Sequence, residues 1–399
     1  MGGEGVTERD AALVMLAADG VGPTVAERLR DLFGSYGAAV LAIATSGMGV
    51  ERVPPRVVES VRRVLADGAW VRELEFARAA GARFVVRGGP EYPAALGEIP
   101  GAPVGVFVMG AAPAALVPMV AVVGTRTPTA RGAAFARELS GDLVRCGLTV
   151  VSGLARGVDT AAHRGAVEGG GSTVAVLGSG LERVYPPENR GLAKRILERG
   201  ALLSEFPMRT DPMPGFFPCR NRIISGLSAG VVVVEAAERS GALITAARAL
   251  EQGRDVFAVP GPVGDPMSAG PNGLIKAGAK LVEGVADVLE ELEAAWGPFG
   301  VPPGQARRPT VGAPAAGQAR PRGTGGDAHA LPVRERVAQR LGLTPVSVDE
   351  LAAASGASVA EVLSSLLELE LLGEAARLPG GRFMLGTRAA RRRQGASGE

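Results

Sequence analysis

Five short segments rich in Gly, Ser, Asn and Arg each lie close behind an apolar run. Gly124 and Arg126 follow VAVV. Ser152, Gly153 and Arg156 follow LTVV, with Asp159 and His163 just beyond. Gly178, Gly180, Tyr185 and Asn189 follow TVAVL. Arg220, Asn221 and Arg222 follow the paired Phe216 and Phe217 in a long segment after ALLSEF. Ser240, Gly241 and Thr245 follow GVVVVEA. Glycine lets backbone N–H groups approach an anion, and a helix N-terminus favours negative charge. Arginine adds a planar, permanently charged fork that matches phosphate. Several such turns on one sheet edge, with several arginines, form an anion cradle. Aromatic rings beside the cations suit single-stranded nucleic acid, because rings stack on bases while cations track phosphates.

Other chemistries are poorly served. Cys146 and Cys219 make neither a disulfide framework nor a zinc site. The G-x-G-x-x-G fingerprint is absent after the first run, which argues against a nicotinamide or flavin. No carboxylate pair stands at catalytic spacing, so neither enzyme activity nor a cofactor is expected. Asp159 suits either the site or a helix N-cap. His163 lacks triad partners and reads as packing or a structural hydrogen bond. Tyr185 either touches a base or packs. The phenylalanine pair either stacks on bases or is core, with its arginines capping the next helix.

The elements that position these loops are legible in the apolar pattern. VAVVG, LTVVSG, STVAVLG, ALLSEF, GVVVVEA and DVFAVPG alternate with segments at helical spacing such as ALITAARALEQG. Continuous apolar strands alternating with helices predict a parallel sheet covered on both faces. The fold class is α/β, a Rossmann-like doubly wound sheet, with loops at the carboxyl ends of its strands. ARFVVRGG and PVGVFVMG read as two further short strands. The predicted organisation is a helical domain over 1–80, an extended Rossmann-like domain over 81–296, and a disordered linker over 297–330. A winged-helix-like module over 331–386 and a basic tail over 387–399 follow. The linker holds four arginines against one acid and reads as a spacer or a weak electrostatic contact. Formal net charge is only +2, so any basic surface is local. No secretory leader or long apolar run is visible, and the cytoplasm is the expected compartment.

Taken together, the loops resemble the DNA-processing protein A (DprA, or Smf) family. The matching runs are AVVGTR at 121–126, SGLARGVDTAAHRGA at 152–166, TVAVLGSGLERVYPPEN at 173–189 and LLSEFP at 202–207. They continue with FPCRNRIISGLS at 217–228, VVVEAAERSGALITAARAL at 232–250 and VPGPVGDPMSAGPNGLIKAGA at 259–279. Gly20, Val21, Gly22 and Pro23 look like the hairpin of a helix-hairpin-helix (SAM-like) segment, serving phosphate or protein contact. The resemblance implies a non-catalytic protein that binds and protects single-stranded DNA, helps load the RecA recombinase in natural transformation, and acts as a homodimer. It places DNA contacts at Arg126, Ser152, Gly153 and residues 220–222, with Asn189, Ser240 and Thr245 following. Pro187 stands where a relative could carry a lysine. NGLIKAGAKLV is a dimer-surface candidate or a buried segment. More remotely the domain resembles phosphoribohydrolases, whose signature glutamate is replaced here by Arg248.

The module over 331–386 has five arginines against seven acids, and its third helix, SVAEVLSSLLELELLG, has no basic residue. A major-groove recognition helix normally carries Arg, Lys, Asn or Gln. Protein contact is therefore its expected role. Removing residues 297–399 should leave duplex-DNA affinity unchanged in a gel shift; a loss of about tenfold with a steep salt slope would contradict this.

Overall fold

The computed structural model describes residues 6–295, 333–341, 346–359, 361–362, 365–366, 369, 375–378 and 382–385. It divides into two compact units, residues 1–312 and 313–399. The linker, the basic tail and most of the module's third helix lie outside the described residues.

The first unit is built on nine strands: β1 (Ala82–Val86), β2 (Gly105–Gly110), β3 (Met119–Val123), β4 (Thr149–Ser152), β5 (Thr173–Val176), β6 (Ala201–Ser204), β7 (Gly230–Val233), β8 (Asp255–Ala258) and β9 (Lys280–Leu281). Their order is β1-β2-β6-β5-β4-β3-β7-β8-β9. From β6 to β9 every pairing is parallel. The two early strands extend the sheet antiparallel, β1 on β2 and β2 on β6. This is the doubly wound arrangement predicted from the apolar runs.

Both faces are covered because both faces are apolar. Along β3, Val120 and Val122 point into one cluster with Leu139, Leu143, Val158 and Ala162. Ala121 and Val123 point into the other with Ile223, Ile224, Ala242 and Ala246. Alternate side chains of a strand face opposite ways, so an all-apolar strand demands helices on both sides. Helices Ala130–Arg145 and Val158–Glu168 cover the first face, and Phe216–Leu227 and Gly241–Glu251 the second.

Five helices precede the sheet, at Glu8–Ala17, Pro23–Phe33, Tyr36–Thr45, Pro55–Asp67 and Ala69–Ala79. Leu13, Met15, Tyr36 and Ile43 share one cluster with Phe84, Phe107 and Leu202 of the sheet. The second unit pairs helices Val333–Arg340 and Val348–Ser355 with a three-stranded antiparallel sheet. Ala375–Leu378 and Arg382–Leu385 form its hairpin. Val337, Leu351, Leu366 and Phe383 fill its core.

Candidate nucleic-acid interface

Strand order reverses at β3, which pairs with β4 on one side and β7 on the other. Chains leaving two such strands go to opposite faces and open a crevice beyond their carboxyl ends. An open cavity of about 840 Å³ lies there. All five chemistry-bearing segments contribute to it: Gly124 and Arg126, Asp159, Tyr185, the Phe217–Arg220–Asn221 group, and Ser240, Gly241 and Thr245.

The long segment after β6 is not all loop. Residues Phe216–Leu227 form a helix, with Pro218 inside its first turn, where a missing N–H costs little. At 3.6 residues per turn, Arg220 and Arg222 point about 200° apart. Phe217, Arg220, Asn221 and Ile224 therefore face the cavity. Phe216, Cys219 and Arg222 face a second groove of about 500 Å³. There Phe216 packs on Phe206 at 4.4 Å between ring centres, and Arg222 binds Glu205 at 2.5 Å. The sequence grouping of Arg222 with the cradle is corrected: helical periodicity turns it away.

Arg220 is 4% exposed. Its Nη1 donates to the Gly153 carbonyl at 2.8 Å and to the Val176 carbonyl, so it ties the ends of β4 and β5 together. Its Nε donates to Asn221 Oδ1 at 3.3 Å. Burial pushes its pKa down to about 10, Asp159 opposes that fall, and Arg126 adds to it. The group remains charged at neutral pH. Asp159 accepts from the N–H groups of Gly153 at 3.1 Å and Ala155 at 3.4 Å. Burial raises its pKa, while Arg220 and those N–H groups lower it. Asp159 sits in the helix's first turn, and the N-cap position belongs to Gly157.

Several residues expected to touch ligand are instead internal braces. Ser152 is fully buried, and its Oγ donates to the Val122 carbonyl at 2.7 Å. Gly153 has both backbone groups occupied by Asp159 and Arg220, and a Cβ there would sit 2.5 Å from the guanidinium. Asn189 is buried and donates to the Leu154 carbonyl at 2.9 Å and Thr160 Oγ1 at 2.8 Å. Gly178 makes room for the Phe217 ring, 2.8 Å from where a Cβ would be, and Gly180 for the backbone of Pro207 and Met208. Gly124 likewise admits Val158. The close approach these glycines permit is by protein, not ligand. Arg156 is exposed but paired with Glu188.

The rim is what remains free. Arg126 is exposed and lies over the Phe217 ring at 5.2 Å, within cation–π range. Tyr185 is 38% exposed, its ring 6.0 Å from that of Phe217. Gly241 is exposed with open space around it. Ser240 caps helix Gly241–Glu251 by accepting from Ala242 N–H at 3.3 Å. Thr245 is buried but lines the cavity. Sequence reasoning missed Arg239, which is exposed, lines the cavity and makes no ion pair among the described residues. Its signal was its position immediately before the Ser240–Gly241 turn.

These features form an arginine- and aromatic-rimmed crevice on a Rossmann-like scaffold. Residues 83–293 match the family model for DNA recombination-mediator protein A, and residues 324–381 match the DprA winged helix domain. Protein Smf of Escherichia coli is 44% identical over 285 residues, covering 71% of each chain. Protein Smf of Synechocystis is 34% identical over 387 residues, covering 91% of this chain and 95% of the relative. The solved structure of DNA processing protein A from Streptococcus pneumoniae superposes with a TM-score of 0.63 at 36% identity, covering 72% of this chain and 99% of that one. The chain belongs to the DNA recombination-mediator protein A (DprA/Smf) family, as its loop motifs indicated.

The division between braces and rim has measurable consequences. Arg220→Ala strips a buried network of its cation and should cost about 3–5 kcal/mol of stability. Arg126→Ala should change stability by less than about 0.5 kcal/mol, both read from denaturant unfolding. A second test uses His163, fully buried, with Nδ1 2.8 Å from Thr173 Oγ1. Burial, then Arg220, lowers its pKa from 6.5 to about 3. Between those values the unfolded chain binds the extra proton, so this group's contribution falls as pH drops below 6.5. Wild type should therefore lose more stability than His163→Asn between about pH 7 and pH 5.

Proposed function

We propose that this protein binds single-stranded DNA across the strand-end cavity, with little sequence preference, and shields it. In this reading it acts as a cytoplasmic homodimer that hands the strand to the RecA recombinase during DNA uptake and recombination. One observation carries the reading: Arg126, which makes no ion pair among the described residues, lies over the Phe217 ring at the mouth of a cavity that also holds Arg220 and Arg239. The ring offers a stacking surface and the guanidinium groups offer phosphate contacts. The family's description as a recombination mediator and the names of its DNA-processing relatives support it.

The role is binding rather than catalysis. Among the described residues lining the cavity, Asp159 is the one carboxylate, and two backbone N–H groups already occupy it. An acid–base pair of carboxylates needs a second member, which the described lining residues do not supply.

Anisotropy titrations with labelled oligothymidylate test the proposal. Binding should weaken linearly with log salt, by about 0.7 per phosphate contacted. Arg126→Ala should weaken it about tenfold or more, the loss of a charge-assisted contact. Normal binding by that variant at about 0.15 M salt, or comparable affinity for a mononucleotide, would overturn the assignment.

A further inference from the structure

Uncompensated cations are unevenly spread over the sheet unit. Many of its arginines are paired: Arg137 with Glu168, Arg156 with Glu188, Arg183 with Asp211 and Arg209 with Glu182. Four cations on two adjacent helices differ. Arg190, Lys194 and Arg195 project from helix Arg190–Ile196, while Leu192, Ala193 and Ile196 anchor it to the sheet. Arg164 projects from helix Val158–Glu168. All four are exposed, and none makes an ion pair among the described residues. Of the acids near them in sequence, Glu168 and Glu188 are already paired. Asp159 turns inward to the Gly153 and Ala155 N–H groups, and Glu198 makes no ion pair among the described residues.

This group adjoins the cavity. Arg126, Phe217, Tyr185, Pro186 and Arg156 line a small recess beside it. From Pro186 the chain passes through the turn Pro187–Asn189 directly into helix Arg190–Ile196. Asn189 clamps that turn to the Leu154 carbonyl and to Thr160. Thr160 and Arg164 are four residues apart and share a helix face, so Arg164 flanks the same seam. Arg190 and Lys194 are also four apart, a rise of about 6 Å along one face. Arg190 and Lys194 thus start a row that follows in the chain from the recess at Tyr185 and Pro186, with Arg164 on the helix that Asn189 clamps to it.

We propose that this row is a second contact tract for the same DNA strand, taking the phosphates of nucleotides that leave the cavity past Tyr185. It rests on the single-strand reading above. Neither helix carries an aromatic residue in the tract, so bases do not stack there. Contact is with the backbone alone, independent of sequence and strongly sensitive to salt.

The test uses the full chain, labelled oligothymidylates of about 5 and about 20 nucleotides, and the triple variant Arg164→Gln/Arg190→Gln/Lys194→Gln. These side chains are exposed, and circular dichroism checks that the fold is kept. For the long strand, the slope of log affinity against log salt should become shallower by about 2, from about 0.7 per contact over three cations. The short strand should bind the variant as it binds wild type. An unchanged long-strand slope, with short-strand binding intact, overturns the tract and leaves the row to an acidic protein surface. If wild type fails to bind the short strand, or Arg126→Ala binds it normally, the cavity reading falls and the tract falls with it.

Discussion

A charged guanidinium held almost out of water organises the carboxyl-end edge of this sheet. Arg220 costs several kcal/mol to desolvate, and the surrounding chain offsets this with two strand-end carbonyls, Asn221 and the nearby Asp159. Each partner is thereby fixed. The carbonyls of Gly153 and Val176 are drawn to one point, setting the ends of β4 and β5. Asp159 reaches back to the N–H groups of Gly153 and Ala155, which sets the loop between β4 and its helix. Gly153 has no side chain because the guanidinium occupies that space.

This bracing separates two kinds of residue that have similar chemistry on paper. Ser152, Gly153, Asn189 and Asp159 spend their hydrogen bonds inside the protein. Arg126, Arg239, Tyr185 and Gly241 lie outside that network and remain accessible. A rigid inner shell with a free rim suits recognition of a polymer backbone, where little reorganisation is needed on binding. The buried Arg220 still contributes its charge to the cavity, where low-dielectric walls screen it less than water would.

Helix Phe216–Leu227 joins this site to the rest of the unit. Its cavity face carries Phe217, Arg220 and Asn221. Its other face meets a groove shared with Met15, Leu16, Val21 and Pro23 of the early helices. The Met208 N–H donates to Glu73 at 2.9 Å, a further tie between the early helices and the segment leading into this helix. The helical region and the sheet share one core, and the helix that presents Phe217 to the cavity is held from both sides.

The sequence by itself determined the sheet, its covering helices and the edge to which the polar loops run. Runs such as VAVV and GVVVV are apolar on both faces and so demand burial on both, and parallel strands send their following loops to one edge. Those are local properties, carried by residue type and spacing. What only the tertiary structure decided was which polar groups on that edge are free. Ser152 and Asn189 look like donors in any sequence, but their partners Val122, Leu154 and Thr160 lie roughly thirty residues away. Arg220 and Arg222 look like a pair, and about half a helical turn sends them to opposite grooves. Arg239 was passed over because an arginine before a turn is seen to line a cavity only once the chain has folded. Availability depends on distant chain segments packing together, and no local pattern encodes that.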